Sequence, residues 1–158
     1  MRLNGHGLSA DLPRGWEGTI SLDRSDEALT LAGMGGSLRP VAHLATFPLP
    51  GGRGDFGSGA VELMRTEDVF VALVEYAEEE ADTPLFARQG MPRHLDPRRF
   101  SNRSLQRGIA GQVGWQVFFT EAGRAFCLYV VLGDGEDVHL LVRKVEQVLT
   151  DVRIEPRS

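Results

Sequence analysis

Apolar and polar positions alternate with a period of two in most of the ordered-looking stretches of the chain, and with the helical period only near its end. Leu8–Leu12 alternates and stops at Pro13, ahead of Gly15-Trp16, which predicts a short strand. Thr19–Leu22 predicts a second strand, and Val41–Phe47 a third, closed by Pro48 and Pro50. Between them, Asp23–Gly36 is polar and then Gly-rich and reads as a loop. Gly51–Asp55 reads as a mobile turn, and Ala60–Arg65 as one or two helical turns. Val69–Tyr76 is the first strong strand, with Val69, Val71 and Leu73 on one face and Phe70, Ala72, Val74 and Tyr76 on the other.

Two further strand-like runs, Trp115–Glu121 and Arg124–Leu132, flank Ala122-Gly123, a spacing that predicts a hairpin. Both faces of Arg124–Leu132 are apolar, so this strand is expected near the centre of the sheet and covered on both sides. The last element reads as a helix. Val138, Leu141, Val142, Val145, Val148 and Leu149 follow the i, i+3, i+4, i+7 stripe, with Asp134 or Gly135 as candidate caps. Leu140 falls on its outer side, either as an ordinary exposed leucine or as a partner contact. The order predicts an α+β fold: a largely antiparallel sheet with a C-terminal amphipathic helix packed on it. Only one long helix is available to cover two apolar faces, which makes a homodimer an expectation.

Composition narrows the partners. The chain has 158 residues, 42 % apolar and 25 % charged, which fits a single domain over residues 1–158 with its own core. The net charge of −5 argues against general attraction to nucleic acid or to an anionic membrane. All but one of the 17 basic residues are arginine, Lys144 being the exception, as a GC-rich coding bias would produce. Cys127 is the only cysteine, so no internal disulfide forms and a reducing, cytoplasmic setting is expected. The N-terminus shows no secretory pattern, and the longest apolar run, Phe126–Leu132, is far too short to span a bilayer.

The opening Leu8-Ser9-Ala10-Asp11-Leu12-Pro13-Arg14-Gly15-Trp16 resembles the strand followed by Leu-Pro-x-Gly-Trp that begins PsbP-like and DcrB-like domains. The ending, Val142–Ile154, resembles their terminal helix and short last strand. Together these segments make up about a fifth of the chain, while residues 77–112 depart from the pattern. The resemblance implies an antiparallel sheet flanked by helices. It also implies a non-catalytic role, as assembly factor, lipoprotein or chaperone, with no catalytic motif to carry over.

Candidate chemistry is sparse. His6, His43, His94 and His139 stand far apart, with no metal-ligand spacing, so neither a metal nor a cofactor is expected. His43, inside a strand, reads as a satisfied histidine. His94-Leu95-Asp96, with Arg98, is the nearest approach to a dispersed enzyme site. Gly57-Ser58-Gly59 lacks the spacing of a nucleophile elbow, and Asp55-Phe56-Gly57 lacks every other kinase motif. Gly33-Met34-Gly35-Gly36 lacks the third glycine of a phosphate loop, and Arg53-Gly54-Asp55 reads as a solvated turn. Cys127, mid-strand, reads as inert packing. Trp115, Phe119, Phe126 and Tyr129 could line a pocket for a small apolar ligand between sheet and helix; core packing is the competing reading.

One region stands out. Residues 77–112 form a long charged connection that opens with Glu78-Glu79-Glu80 and Asp82. From residue 83 to 112 it carries Arg88, Arg93, Arg98, Arg99, Arg103 and Arg107 against one acid, Asp96, a formal +5 where the rest of the chain is −10. Asp96-Pro97 reads as a helix start, with a helix over Pro97–Arg107 placing Arg99, Arg103 and Arg107 along one side. Two roles are open. The arginines neutralise the chain's own acids, including Glu78–Asp82, or they meet an acidic protein surface through bidentate contacts. The resulting expectation is a non-enzymatic protein-binding module, an adaptor, assembly factor or chaperone-like protein. Arg88, Arg93, Arg98, Arg99, Arg103, Arg107 and Leu140 are its candidate contacts.

Overall fold

The structure, a computed structural model, describes residues 1–22 and 39–157. The expected loop at Asp23–Gly36, with its glycine cluster, lies outside the described residues. Among the described residues eight strands form two antiparallel sheets. A small sheet has the order β1 (Arg2–Gly5), β2 (Leu8–Asp11), β8 (Arg153–Ile154). The large sheet contains β3 (Glu17–Leu22), β4 (Pro40–Ala45), β5 (Val69–Glu75), β6 (Val113–Glu121) and β7 (Arg124–Leu132), in the order β3-β4-β5-β7-β6. Among the described residues one α-helix, α1 (Val138–Leu149), precedes β8. The fold is thus mixed α+β with antiparallel sheets.

The strands follow from their faces. β5 and β7 are buried at every position, as strands with two apolar faces must be. Val69, Val71, Leu73, Phe126, Leu128, Val130 and Leu132 point into one cluster, which also takes Leu141, Val142, Val145, Val148 and Leu149 of α1 and Leu8, Ala10 and Ile154 of the small sheet. Phe70, Ala72, Val74, Tyr129 and Val131 point into a second cluster on the opposite face. β6 and β7 are joined by Ala122-Gly123 with φ of 55° and 75°, the left-handed pair of a primed two-residue turn.

The cover of the second face comes from within the chain, and one expected helix is corrected. The second face, for which no helix was available, is closed by the chain's own loops: Phe47, Ala60 and Val61 are buried there, with Leu49, Phe56, Met64, Leu105 and Ile109 packed against them. The apolar face that motivated a homodimer is therefore filled within one chain. Pro97–Arg107 is not a helix. It forms two separate 3-10 turns, Pro97–Arg99 and Asn102–Ser104, because Ser101 between them is extended and exchanges main-chain hydrogen bonds with Gly114 of β6 (3.0 and 2.9 Å). Ala60–Arg65 holds a single such turn, Val61–Leu63. Asp134 accepts from the Glu136 N–H and caps the turn leading into α1.

Candidate functional site

The large sheet ends on one side in β6, whose strand neighbour is β7. The connection after β5 returns to this edge at two places. Near the hairpin, the Thr120 N–H donates to the Arg88 carbonyl and the Gly90 N–H donates to the Thr120 carbonyl, both at 2.8 Å. The Thr120 hydroxyl donates to the Phe86 carbonyl and accepts from the Asp82 N–H. At the other end stands the Ser101–Gly114 bridge. Phe86, Met91, Leu95 and Phe100 are buried and pin the connection at intervals of four to five residues, and between them Arg88, Gln89, His94, Arg98 and Arg99 are exposed.

The six arginines do not act alike. Arg93 is half-buried and donates to the carbonyls of Leu149 and Val152, closing the C-terminal end of α1, where a cation suits the dipole. Burial pushes its pKa down. Arg98 folds back onto Asp96 in an exposed pair at 3.2 Å, and this hydrogen bond holds the Asp96 carboxyl below its ordinary range. Asp96 also accepts the Arg98 N–H as the expected cap, although the turn that it caps is a single one. Arg88, Arg99, Arg103 and Arg107 are exposed, and their guanidiniums have no hydrogen-bond or ion-pair partner among the described residues.

Their placement also differs from one helical row. Arg88 stands at the hairpin end of the β6 edge, and Arg99 and Arg103 stand on either side of Ser101 at the other end. Arg107 lies on the second face, beside a groove lined by Asp55, Phe56, Ser58 and Tyr129. There the Tyr129 hydroxyl accepts the Gln106 N–H at 2.7 Å. Leu140 is 58 % exposed on α1. Glu78, Glu79 and Glu80 are exposed and pair with none of the six arginines, while Asp82 accepts from Gln89.

The alternative sites do not assemble. His94, with a side chain 98 % exposed, lies 3.8 Å from Glu146, while Asp96 and Arg98 pair with each other, so the three do not converge on a cleft. Phe119 and Phe126 stack within the first core cluster and Trp115 tilts against Phe100, but Tyr129 points to the opposite face. The apolar cavity between the sheets and α1 is about 20 Å³, room for about one water. No group of three or more metal-ligating side chains occurs among the described residues.

Three features escaped sequence reading. His43 is buried, as a satisfied histidine should be, but its partners come from the supposedly mobile turn: Arg53 Nε donates to Nδ1 and Nε2 donates to the Asp55 carbonyl, each at 2.7 Å. Burial pushes the ring down to about 4. Glu75, at the end of β5, accepts two hydrogen bonds from Arg124, at the start of β7, and a third contact from Arg157. A charge at the end of each of two paired apolar strands was the available signal. The third is the partly open β6 edge itself. Cys127 is buried, and burial pushes its thiol up to about 12, as inert packing requires.

No family model, no characterised protein and no solved structure matches the chain. No described helix is long and apolar enough to cross a membrane.

Proposed function

We propose that this chain is a non-enzymatic protein-binding module of the cytoplasm, an adaptor, assembly factor or chaperone-like protein of the kind implied by its PsbP-like and DcrB-like features. It docks an acidic protein surface along the β6 edge. The observation that carries the reading is the set of Arg88, Arg99 and Arg103, three exposed guanidiniums at the two ends of one sheet edge with no hydrogen-bond or ion-pair partner among the described residues. Guanidinium forks take up carboxylates in bidentate fashion and speed encounter with an acidic patch. In this reading α1 is the amphipathic cover of the sheet and its outward Leu140 adds an apolar contact. Nucleic acid is disfavoured by the net charge of −5.

The test starts from a partner captured by the tagged protein, identified and then purified. Association of the purified pair is followed with wild type and with Arg88→Glu/Arg99→Glu/Arg103→Glu. Arg93 is left in place because it closes α1. The association rate should drop roughly tenfold or more and lose most of its salt dependence. An unchanged rate in a folded triple variant would refute the basic edge as the interface.

A further inference from the structure

We infer that the middle of β6 takes up a short, extended, acidic peptide segment as an added strand. This rests on the basic-edge reading and specifies its partner. In an antiparallel ladder, successive residues send their N–H and C=O groups alternately toward one neighbour and the other. Gly114 and Thr120 send theirs outward, since both groups of each bond to the connection rather than to β7. The alternation turns Gln116 and Phe118 outward as well. Their N–H and C=O groups take no partner among the described residues.

The connection leaves this stretch open because it departs toward the helix. After Gly90, Met91 and Leu95 enter the first core cluster, the Leu95 N–H donates to Glu146 at 2.8 Å, and Arg93 reaches the end of α1. It returns only at Ser101. From Gly114 to Thr120 the edge runs about 20 Å at the rise of a strand, and both ends are occupied, so a guest of about three residues fits between. Four outward main-chain groups on an edge are what strand addition uses. Beside them, Phe118 meets Phe86 at 5.4 Å and Tyr76 at 6.0 Å, an apolar surface for one guest side chain, while Gln116 is exposed.

Charge chooses the occupant. Arg88 at one end and Arg99 and Arg103 at the other favour acids on both sides of a β-prone centre. A second copy would bring the same arginines against the same edge, so self-pairing is opposed.

The probe is a fluorescein-labelled heptapeptide with two acidic residues at each end and a Val-Thr-Val centre, followed by anisotropy and by amide exchange of the full chain. On saturation, exchange at Gln116 and Phe118 should slow roughly tenfold or more, while Val117, already turned to β7, should not change. Gln116→Pro removes one outward N–H at an edge position and should weaken binding roughly tenfold; Gln116→Ala should leave it within about twofold. The same peptide N-methylated at its centre should not bind. Binding without protection of those two amides, or equal binding of the N-methylated peptide, overturns strand addition and leaves the basic edge standing. Absence of any binding to wild type also overturns strand addition. Equal binding by Arg88→Glu/Arg99→Glu/Arg103→Glu overturns the basic edge instead. Protection that grows with protein concentration in the absence of peptide assigns the edge to a second copy and refutes the inference. Should Gln116→Pro fail to fold, wild-type exchange and the N-methylated peptide decide.

Discussion

Replacing Glu75 with alanine removes the counter-charge from a guanidinium whose side chain is only 3 % exposed. Arg124 directs Nε and one Nη2 hydrogen to the two Glu75 oxygens at 3.0 and 2.9 Å, and it donates to the carbonyls of Glu155 at 2.9 Å and His6 at 3.0 Å. It also lies over the Phe126 ring, 5.3 Å from its centroid. In Glu75→Ala the two carbonyls remain, but a buried cation is left without an anion. Breaking a buried pair from one side typically costs about 3–5 kcal/mol. Arg157, more than a third exposed, can turn to water and adds little. For a chain of this size each kcal/mol lowers Tm by about 2–4 °C, so the midpoint should drop roughly 6–20 °C.

Two companion variants separate charge from shape. Glu75→Gln keeps an acceptor and the volume, and should lose about 2 kcal/mol, the value of hydrogen bonds to a charged group. Glu75→Leu/Arg124→Leu removes both charges at once; it loses the two carbonyl tethers and the contacts with Phe126 and Arg157 but leaves no unpaired buried charge, and should be less destabilised than Glu75→Ala. Urea unfolding at pH 7 gives all three values. A loss below about 1 kcal/mol in Glu75→Ala, or a double variant as costly as the sum of its singles, would refute a buried pair that acts as one unit.

Burial of His43 makes stability acid-sensitive. The ring titrates near 4 in the folded chain and near 6.5 in the unfolded one. Below pH 6.5 the unfolded chain takes up a proton that the native ring refuses. Stability is therefore full above about pH 7 and declines by about 3 kcal/mol as the pH falls toward 4. His43→Gln, whose amide can accept from Arg53 and donate to the Asp55 carbonyl, should show a shallower acid slope in urea midpoints; equal slopes would sink the assignment. Gly133→Ala places a methyl group 2.0 Å from the Arg65 carbonyl oxygen and 3.1 Å from that of Asp68, both main-chain atoms. It should cost about 3 kcal/mol, and a change within about 0.5 kcal/mol would mean that the turn before β5 moves aside.

Strands and helix were legible wherever one local rule decided them. β5 and β7 carry apolar residues on both faces, and the stripe from Val138 to Leu149 has the period of a helix; no other element competes for those positions. Legibility failed where a distant residue decides. Asp96 and Ser101 both cap turns as their side chains dictate, yet the pairing of Ser101 with Gly114 stops a helix from continuing through them. The cover of the second face is scattered over Phe47, Phe56, Val61 and Ile109, residues in loops that share no period. The charge of the 83–112 segment could be counted in advance, but not its use. Arg93 finds its acceptors at Leu149 and Val152, more than fifty positions away, and only the fold separates it from Arg88 or Arg103.

Edge protection and partner capture place charge at the same strand, and its sign distinguishes them. An exposed edge is kept from pairing with its own copies by charge of either sign. This chain has 22 acidic residues against 17 basic ones, so acids at the β6 edge would fit its general character. The connection along that edge instead carries six arginines and one acid from residue 83 to 112. Coding bias accounts for arginine in place of lysine, but not for base in place of acid. Direct pairing with the acidic remainder would account for the sign if these arginines sat in ion pairs with it. Yet among the described residues Glu78–Glu80 form no ion pair with them, and four of the six guanidiniums have no hydrogen-bond or ion-pair partner. On the proposed reading, a cationic rim around an edge that is closed at both ends and open at Gln116 and Phe118 repels a second copy and admits an acidic strand. Protection and capture are then one device, selective by charge.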